Sequence, residues 1–216
     1  MRPASTLLVV RDGDAHIEVL MGKRSAGASF APGAFVFPGG VVDDSDGDRR
    51  AVEAAGGVRD PWRVAAIRET YEETGALVAV AGRRFPPGRN FWEVGATHDM
   101  KLQLSELAHV STWVTPAPLP RRYDTRFFLT RSRPASVVPD GDELTEVRWV
   151  SPAEALVERS LGAFPAISPT VAHLGWLAEF STADEAWEGA VEGAFAHLVD
   201  QGAVEGAQPR GLGRVL

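Results

Sequence analysis

Arg68-Glu69-Thr70-Tyr71-Glu72-Glu73-Thr74-Gly75-Ala76 is the stretch that decides how this chain folds. Asp60 directly before Pro61 has the form of an N-cap followed by proline in the first turn, and Gly75 that of the glycine that stops a helix. The spacing therefore predicts one helix over residues 61–74. Glu69, Glu72 and Glu73 fall at i, i+3, i+4 and share one face, while Val64, Ile67, Tyr71 and Thr74 share another that can pack on a core. Three clustered carboxylates repel one another unless something positive sits among them. A hard divalent cation such as Mg²⁺ is the natural partner, because it takes oxygen ligands and keeps waters that reach substrate phosphates. Arg68 is placed to hold one of the acids in position. The plain alternative is a solvated acidic helix face.

A second element lies upstream. Ala34–Phe37 reads as a short strand, and Pro38-Gly39-Gly40 follows it with backbone that can approach an ion without side-chain obstruction. Together the two elements resemble the Nudix hydrolase signature, an Arg-Glu-U-X-Glu-Glu-X-Gly-U run (U bulky and apolar) preceded at fixed spacing by a glycine and a glutamate. Arg68, Glu69, Glu72, Glu73 and Gly75 match every fixed position of the run, with Thr70 and Ala76 at the U positions. The departure lies between the halves. Counted from Gly40 the first acid falls on Asp46, and counted back from Arg68 it falls on Asp60, so an insertion over about residues 47–59 splits the box and leaves two candidates for one slot.

Further stretches narrow the resemblance. Gly33-Ala-Phe-Val-Phe-Pro-Gly-Gly40, with Arg24-Ser25 ahead of it, resembles part of the motif of coenzyme A-cleaving Nudix enzymes, although Ser29 stands where that motif has arginine. Phe35–Asp46, the split box, Trp113-Val-Thr-Pro116, Arg121-Arg-Tyr-Asp-Thr-Arg-Phe-Phe128 and Trp149-Val-Ser-Pro152 are similar to the acyl-coenzyme A diphosphatase branch, which also carries an insertion in the box.

The resemblance implies an α+β fold, an α/β/α sandwich with a mixed sheet between helices, a helical insert and C-terminal helices. It implies Mg²⁺, with Mn²⁺ as the substitute, held by the Gly40 carbonyl, Glu69, Glu72 and Glu73. One more carboxylate is expected from the turn Pro139-Asp140-Gly141-Asp142-Glu143, with Glu143 the first choice and Asp142 the second; a solvated acidic turn is the alternative. Arg68 completes the catalytic group, and the general base is left unassigned. The candidate substrate-binding cations are Arg24, Arg121, Arg122 and Arg126; the last three can grip phosphates as bidentate donors or simply mark an exposed strand end.

Composition sets the outer limits. The chain has 216 residues, enough for one domain with additions, and its 44% hydrophobic and 24% charged content is that of an ordinary globular protein. A formal charge of −7 argues against general nucleic-acid binding. With no cysteine, disulfides, thiolate metal sites and cysteine nucleophiles are excluded. The apolar start Ala4–Val10 is too short for a secretory signal, no run suits a membrane span and the C-terminus is not a peroxisomal address, so a cytoplasmic protein is expected.

Along the chain, residues 4–11 read as a buried strand, Asp12-Gly13-Asp14 as a turn and Ile17–Arg24 as the hairpin partner. The acids Asp43, Asp44, Asp46 and Asp48 read as a solvated turn rather than a second cation site. Ala76–Val80 reads as a strand and Phe91–Val110 as a mainly helical insert with Leu102, Leu107 and Val110 in the core. His98 and His109, without partners at metal spacing, read as surface or packing residues. Glu146–Val150 reads as a strand, and Ser151-Pro152 opens a helix. From Ser168 the chain is expected to be helical, with one stripe running from Ala186 to Val199 that packs on the core or on a second subunit of a homodimer. Residues 1–202 are expected to form the domain and 203–216 a flexible tail.

The function expected is metal-dependent cleavage of a pyrophosphate in a small nucleotide-derived substrate. Coenzyme A or an acyl-coenzyme A, giving 3′,5′-ADP and (acyl)phosphopantetheine, is favoured. The alternatives are an ADP-ribose, dinucleotide or nucleoside triphosphate pyrophosphatase, and a Nudix-like nucleotide-binding module without turnover.

Overall fold

The structure is a computed structural model that describes residues 1–81, 90–115, 117 and 122–195. The strands are β1 (Arg2–Asp12), β2 (Ile17–Arg24), β3 (Phe35–Val36), β4 (Gly39–Val41), β5 (Val80–Ala81), β6 (Lys101–Leu102), β7 (Ala108–Val114), β8 (Tyr123–Arg131) and β9 (Leu144–Val150). The helices are α1 (Arg49–Ala54), α2 (Pro61–Thr74), α3 (Phe91–Thr97), α4 (Pro152–Ser160), α5 (Ser168–Leu177) and α6 (Ala183–Val191).

β1 is apolar on both faces because it is covered on both. Leu8 and Val10 join a core with α4, α5 and α6; Leu7 and Val9, pointing the other way, join a second core with α1, α2 and α3. β8 divides in the same manner, with Phe127 and Leu129 in the first core and Phe128 in the second. The result is the expected α+β sandwich, a seven-stranded mixed sheet between two helical layers. β1 lies parallel to β8 from Arg2 to Val10 and antiparallel to β2 and β4, while β9 pairs with β2 and β7 with β8. Pairing of Ser5 with Gly40 and Thr6 with Gly39 brings the glycine pair to the centre of the sheet.

The hairpin of β1 and β2, the strand β9 and the helix starts agree with their sequence signals. Asp60 caps α2 by accepting from the Arg63 amide, Gly75 ends it at φ 65°, and Ser151 caps α4. Three expectations are corrected. The insert is α-helical only over Phe91–Thr97, with one 3-10 turn at Leu104–Glu106; Asp99 adopts φ 48°, and Ala108–Val114 pairs with β8 as a strand. Leu102, Leu107 and Val110 are buried as expected, but their spacing suited either structure. Ala76–Val80 is not a strand: Ala79 turns at φ 50°, and only Val80–Ala81 pairs, with β6. The last stripe is interrupted, since α6 stops at Val191 and Gly193 turns the chain at φ 75° before Phe195 packs. Leu198, Val199, the boundary at residue 202 and the tail lie outside the described residues, as does Arg121. Among the described residues no helix is long and apolar enough to cross a membrane.

Candidate active site

The site begins where α2 crosses β4. Gly39 has φ 154°, and a Cβ there would lie 2.3 Å from the Ser5 carbonyl oxygen and 2.6 Å from Thr6 Cα, so only glycine fits. Its amide donates to Glu73 Oε2 at 2.9 Å. A Cβ on Gly40 would sit 2.5 Å from the Glu69 carboxyl carbon, so the bare backbone of Gly40 is what lets that carboxylate lie against the strand.

Arg68 is the brace of the cluster. Buried at 5% exposure, it donates Nε to Asp46 Oδ1 at 2.8 Å and Nη2 to Asp46 Oδ2 at 2.9 Å, while Nη1 reaches Glu69 at 2.9 Å and Glu72 at 3.0 Å. Its remaining bond goes to the Val41 carbonyl. Burial works against the guanidinium charge, but Asp46, Glu69 and Glu72 outweigh it and hold Arg68 above its ordinary range. Asp46 therefore stands beside the helix of acids and Asp60 does not, being the N-cap of α2 with a 2.6 Å pair to Arg63. Asp46 reaches that place through a 3-10 turn, Asp44–Gly47, capped by Asp43, after which Asp48 caps α1. The acids read as a solvated turn are thus used locally, and Asp46 is buried at 1% exposure.

The carboxylates themselves are disfavoured as anions where they stand. Burial, together with the charges of Glu72 and Glu143, pushes Glu69 up to about 7 against the pull of Arg68. Burial and the charge of Glu69 raise Glu73 well above the usual carboxylate range despite the Gly39 amide. Glu143, from the turn before β9, faces this pair, and its amide is fixed by Asp140. Glu72 is the most committed of the helix glutamates: Arg68 donates to one oxygen and the Phe91 amide to the other at 3.1 Å. Glu72 thereby ties α2 to α3.

A cleft of about 590 Å³ opens from this cluster along the α5 side of the sheet. Gly39, Gly40, Glu69, Glu143 and Arg24 form its acidic end, where Arg24 is held by the Phe30 carbonyl at 2.9 Å. Tyr123, Thr125 and Phe127 of β8 line the sheet wall together with Trp113 of β7, the partner of Thr125, and the start of α5 also lines the cleft. Strand alternation puts the intervening Arg126 on the other face, where its guanidinium stacks on Trp62 at 3.7 Å, and Arg122 donates to the Thr115 carbonyl. Of the four cations expected from sequence, only Arg24 lines the cleft among the described residues. His109 bonds Thr112 and His98 the Val94 carbonyl, as packing residues do.

The groups at the acidic end that can ligate a metal are all oxygen donors, which suits a hard cation in kind. Two observations support such a partner: carboxylates raised by burial and, to a lesser degree, by one another's charge, and a glycine that keeps backbone and Glu69 in contact. In position the acids stand apart, and among the described residues no three acidic or histidine side chains are grouped to hold a metal. Arg68 lies between Glu69 and Glu72, so gathering them on an ion requires those bonds to be exchanged.

A mixed sheet between helices, with a glutamate helix set against a glycine pair at one end of a cleft, is the architecture of the Nudix hydrolase class. The chain belongs to the Nudix family: the family model for the NUDIX domain matches residues 1–171. It is 31% identical over 183 residues to the provisionally named nudix hydrolase 7 of Caenorhabditis elegans, covering 74% of this chain and 56% of that protein. It is 29% identical over 213 residues to the acyl-coenzyme A diphosphatase of Gallus gallus, covering 67% of this chain and 56% of the relative. The chain thus spans about half the length of the curated relatives it matches. The crystal structure of a NUDIX hydrolase from Alicyclobacillus acidocaldarius is similar with a TM-score of 0.74 at 31% identity, over 86% of this chain and 95% of that one.

Proposed function

We propose that this protein hydrolyses the pyrophosphate of coenzyme A or an acyl-coenzyme A, releasing 3′,5′-ADP and (acyl)phosphopantetheine. The observation that carries the reading is the joining of an acidic, Arg68-braced centre to a cleft whose far walls are aromatic and hydroxyl-bearing. A diphosphate suits the first and a long arm of mixed polarity the second. The similarity to the acyl-coenzyme A diphosphatase of Gallus gallus supports the same choice.

In this reading Glu69, Glu73, Glu143 and the Gly40 carbonyl hold Mg²⁺ or Mn²⁺, and Glu72 joins them by giving up one of its present bonds. The ion, when bound, neutralises phosphate charge and lowers the pKa of a coordinated water. The chain's own residues do the rest. Asp46 anchors Arg68, and Arg68 orients Glu69 and Glu72. Arg24 meets the diphosphate as a cation at the mouth of the acidic end, and Gly39 fixes Glu73 through its amide. A buried carboxylate with raised affinity for protons is suited to take the proton of the attacking water.

The test is Mg²⁺-dependent hydrolysis of coenzyme A, an acyl-coenzyme A, ADP-ribose and NADH, with Glu73→Gln beside the parent. Release of 3′,5′-ADP from the coenzyme A compounds, reduced at least about a hundredfold in the variant, is expected. Cleavage of ADP-ribose or NADH alone would discard the substrate, and parental rates in the variant would discard the site.

A further inference from the structure

His173 is fully buried in α5 and takes no part in the acidic centre, yet it touches Phe37, Trp113, Phe127 and Pro169, which line the cleft. Its ring stacks on Phe127 with centroids 4.3 Å apart and on Phe195 at 4.5 Å, and it meets Trp113 at 5.9 Å. Nδ1 lies 2.7 Å from the Pro169 carbonyl, and Nε2 lies 2.8 Å from Ser111 Oγ. Ser111 Oγ in turn accepts from Trp113 Nε1 at 3.1 Å.

The chemistry of these atoms allows one arrangement in the neutral ring. A carbonyl only accepts, so Nδ1 carries the proton and donates to Pro169. Nε2 is then bare and accepts the Ser111 hydroxyl, whose oxygen is left to accept the Trp113 indole. The relay runs in one direction, from Trp113 through Ser111 and His173 to Pro169. A bulge makes it reachable: the pairing of β7 with β8 shifts between His109 and Ser111, so Val110 and Ser111 both turn to the α5 side.

We propose that His173 is a positioning residue for substrate binding, which through this relay fixes the distance between the Trp113 wall and the first turn of α5, Ile167–Thr170, and so sets the width of the cleft beyond the acidic end. It rests on the reading that this cleft binds the substrate's arm. The relay touches neither Glu69 nor Glu73, so its loss acts on KM and leaves the chemical step near its parental rate. A general loss of structure would instead lower kcat and KM behaviour together.

Ser111, which does not line the cleft, is the place to cut the relay. Ser111→Ala removes the bridge and keeps the histidine packed, while Ser111→Thr keeps the hydroxyl. Steady-state kinetics on whichever compound of the four the parent cleaves should show KM raised about tenfold in Ser111→Ala, kcat within about twofold, and KM restored in Ser111→Thr. The Trp113 indole N–H resonance, assigned with Trp113→Phe, should shift in Ser111→Ala and stay in Ser111→Thr. An unmoved resonance, an unchanged KM, or an equal fall in kcat overturns the proposal. Failure of the parent to cleave any coenzyme A compound overturns the substrate assignment alone, because KM on the compound it does cleave still decides the role of His173.

Discussion

Arg68 and Asp46 form a two-bond pair, Nε to Oδ1 at 2.8 Å and Nη2 to Oδ2 at 2.9 Å, with both side chains almost wholly excluded from solvent. The same guanidinium holds Glu69 and Glu72, so the pair anchors the orientation of the acidic face. Removing one partner leaves a buried charge unpaired. Asp46→Ala should destabilise the fold by roughly 3–5 kcal/mol. Asp60→Ala removes a helix cap and its half-buried pairing, at about 1 kcal/mol. Urea unfolding of the two variants checks this, and equal losses would remove the distinction between the two aspartates.

Adjacent glycines should respond differently to the same methyl group. At Gly39 a Cβ meets backbone atoms of Ser5 and Thr6, which belong to the central strand and cannot yield. Gly39→Ala should cost about 2–3 kcal/mol. At Gly40 the nearest atoms to the methyl are those of the Glu69 carboxyl group, the end of a side chain that can swing away. Gly40→Ala should therefore fold at near-parental stability and lose activity on the order of a hundredfold, since Glu69 is displaced by about an ångström. Melting temperature and kcat measured together separate the cases.

Much of this was legible in sequence because the signals were local. Asp60-Pro61 and Gly75 bound α2, and the i, i+3, i+4 glutamates need nothing beyond that helix to share a face. What failed was non-local. Leu102, Leu107 and Val110 have a spacing that helix and strand both satisfy; in the fold Leu102 pairs with β5, Leu107 ends a 3-10 turn and only Val110 lies in the strand beside β8. Asp46 and Asp60 each fit a count along the chain; full burial beside Arg68 against a half-buried cap paired with Arg63 separates them only in three dimensions. Arg126 looked like a phosphate grip because strand parity cannot be assigned without knowing which face the cleft occupies. His173 gave no motif at all, and its partners lie four and 62 residues away in the chain.

The two arginines that parity separates give a direct test. Arg24 lines the cleft and lowers the proton affinity of Glu73, whereas Arg126 stacks on Trp62 on the far face. Arg24→Ala should raise KM for the diphosphate substrate about tenfold or more, the usual cost of a charge-assisted contact. Arg126→Ala should leave KM within about twofold and lower stability by about 1 kcal/mol through the lost stacking. A rise in KM for Arg126→Ala would return it to the substrate site.

The stability of the fold should fall in mild acid because of His173. Burial among Phe127, Phe195 and Trp113 lowers its pKa from the ordinary 6.5 to about 4. Between those values the unfolded chain binds a proton that the folded chain refuses, so stability rises with pH through this window. The contribution is complete above about pH 6.5 and is lost as pH falls towards 4, to a total of about 3 kcal/mol. His109, lowered by burial and by Arg126 and Arg63, acts in the same direction. His173→Gln has no titrating group at this position, so its unfolding free energy, measured in urea from pH 7.5 down to about 4, should fall less steeply than the parent's. Parallel curves for the two proteins would mean that the buried imidazole takes up its proton as readily as in the unfolded chain, and the relay from Trp113 to Pro169 would then have to run differently in mild acid.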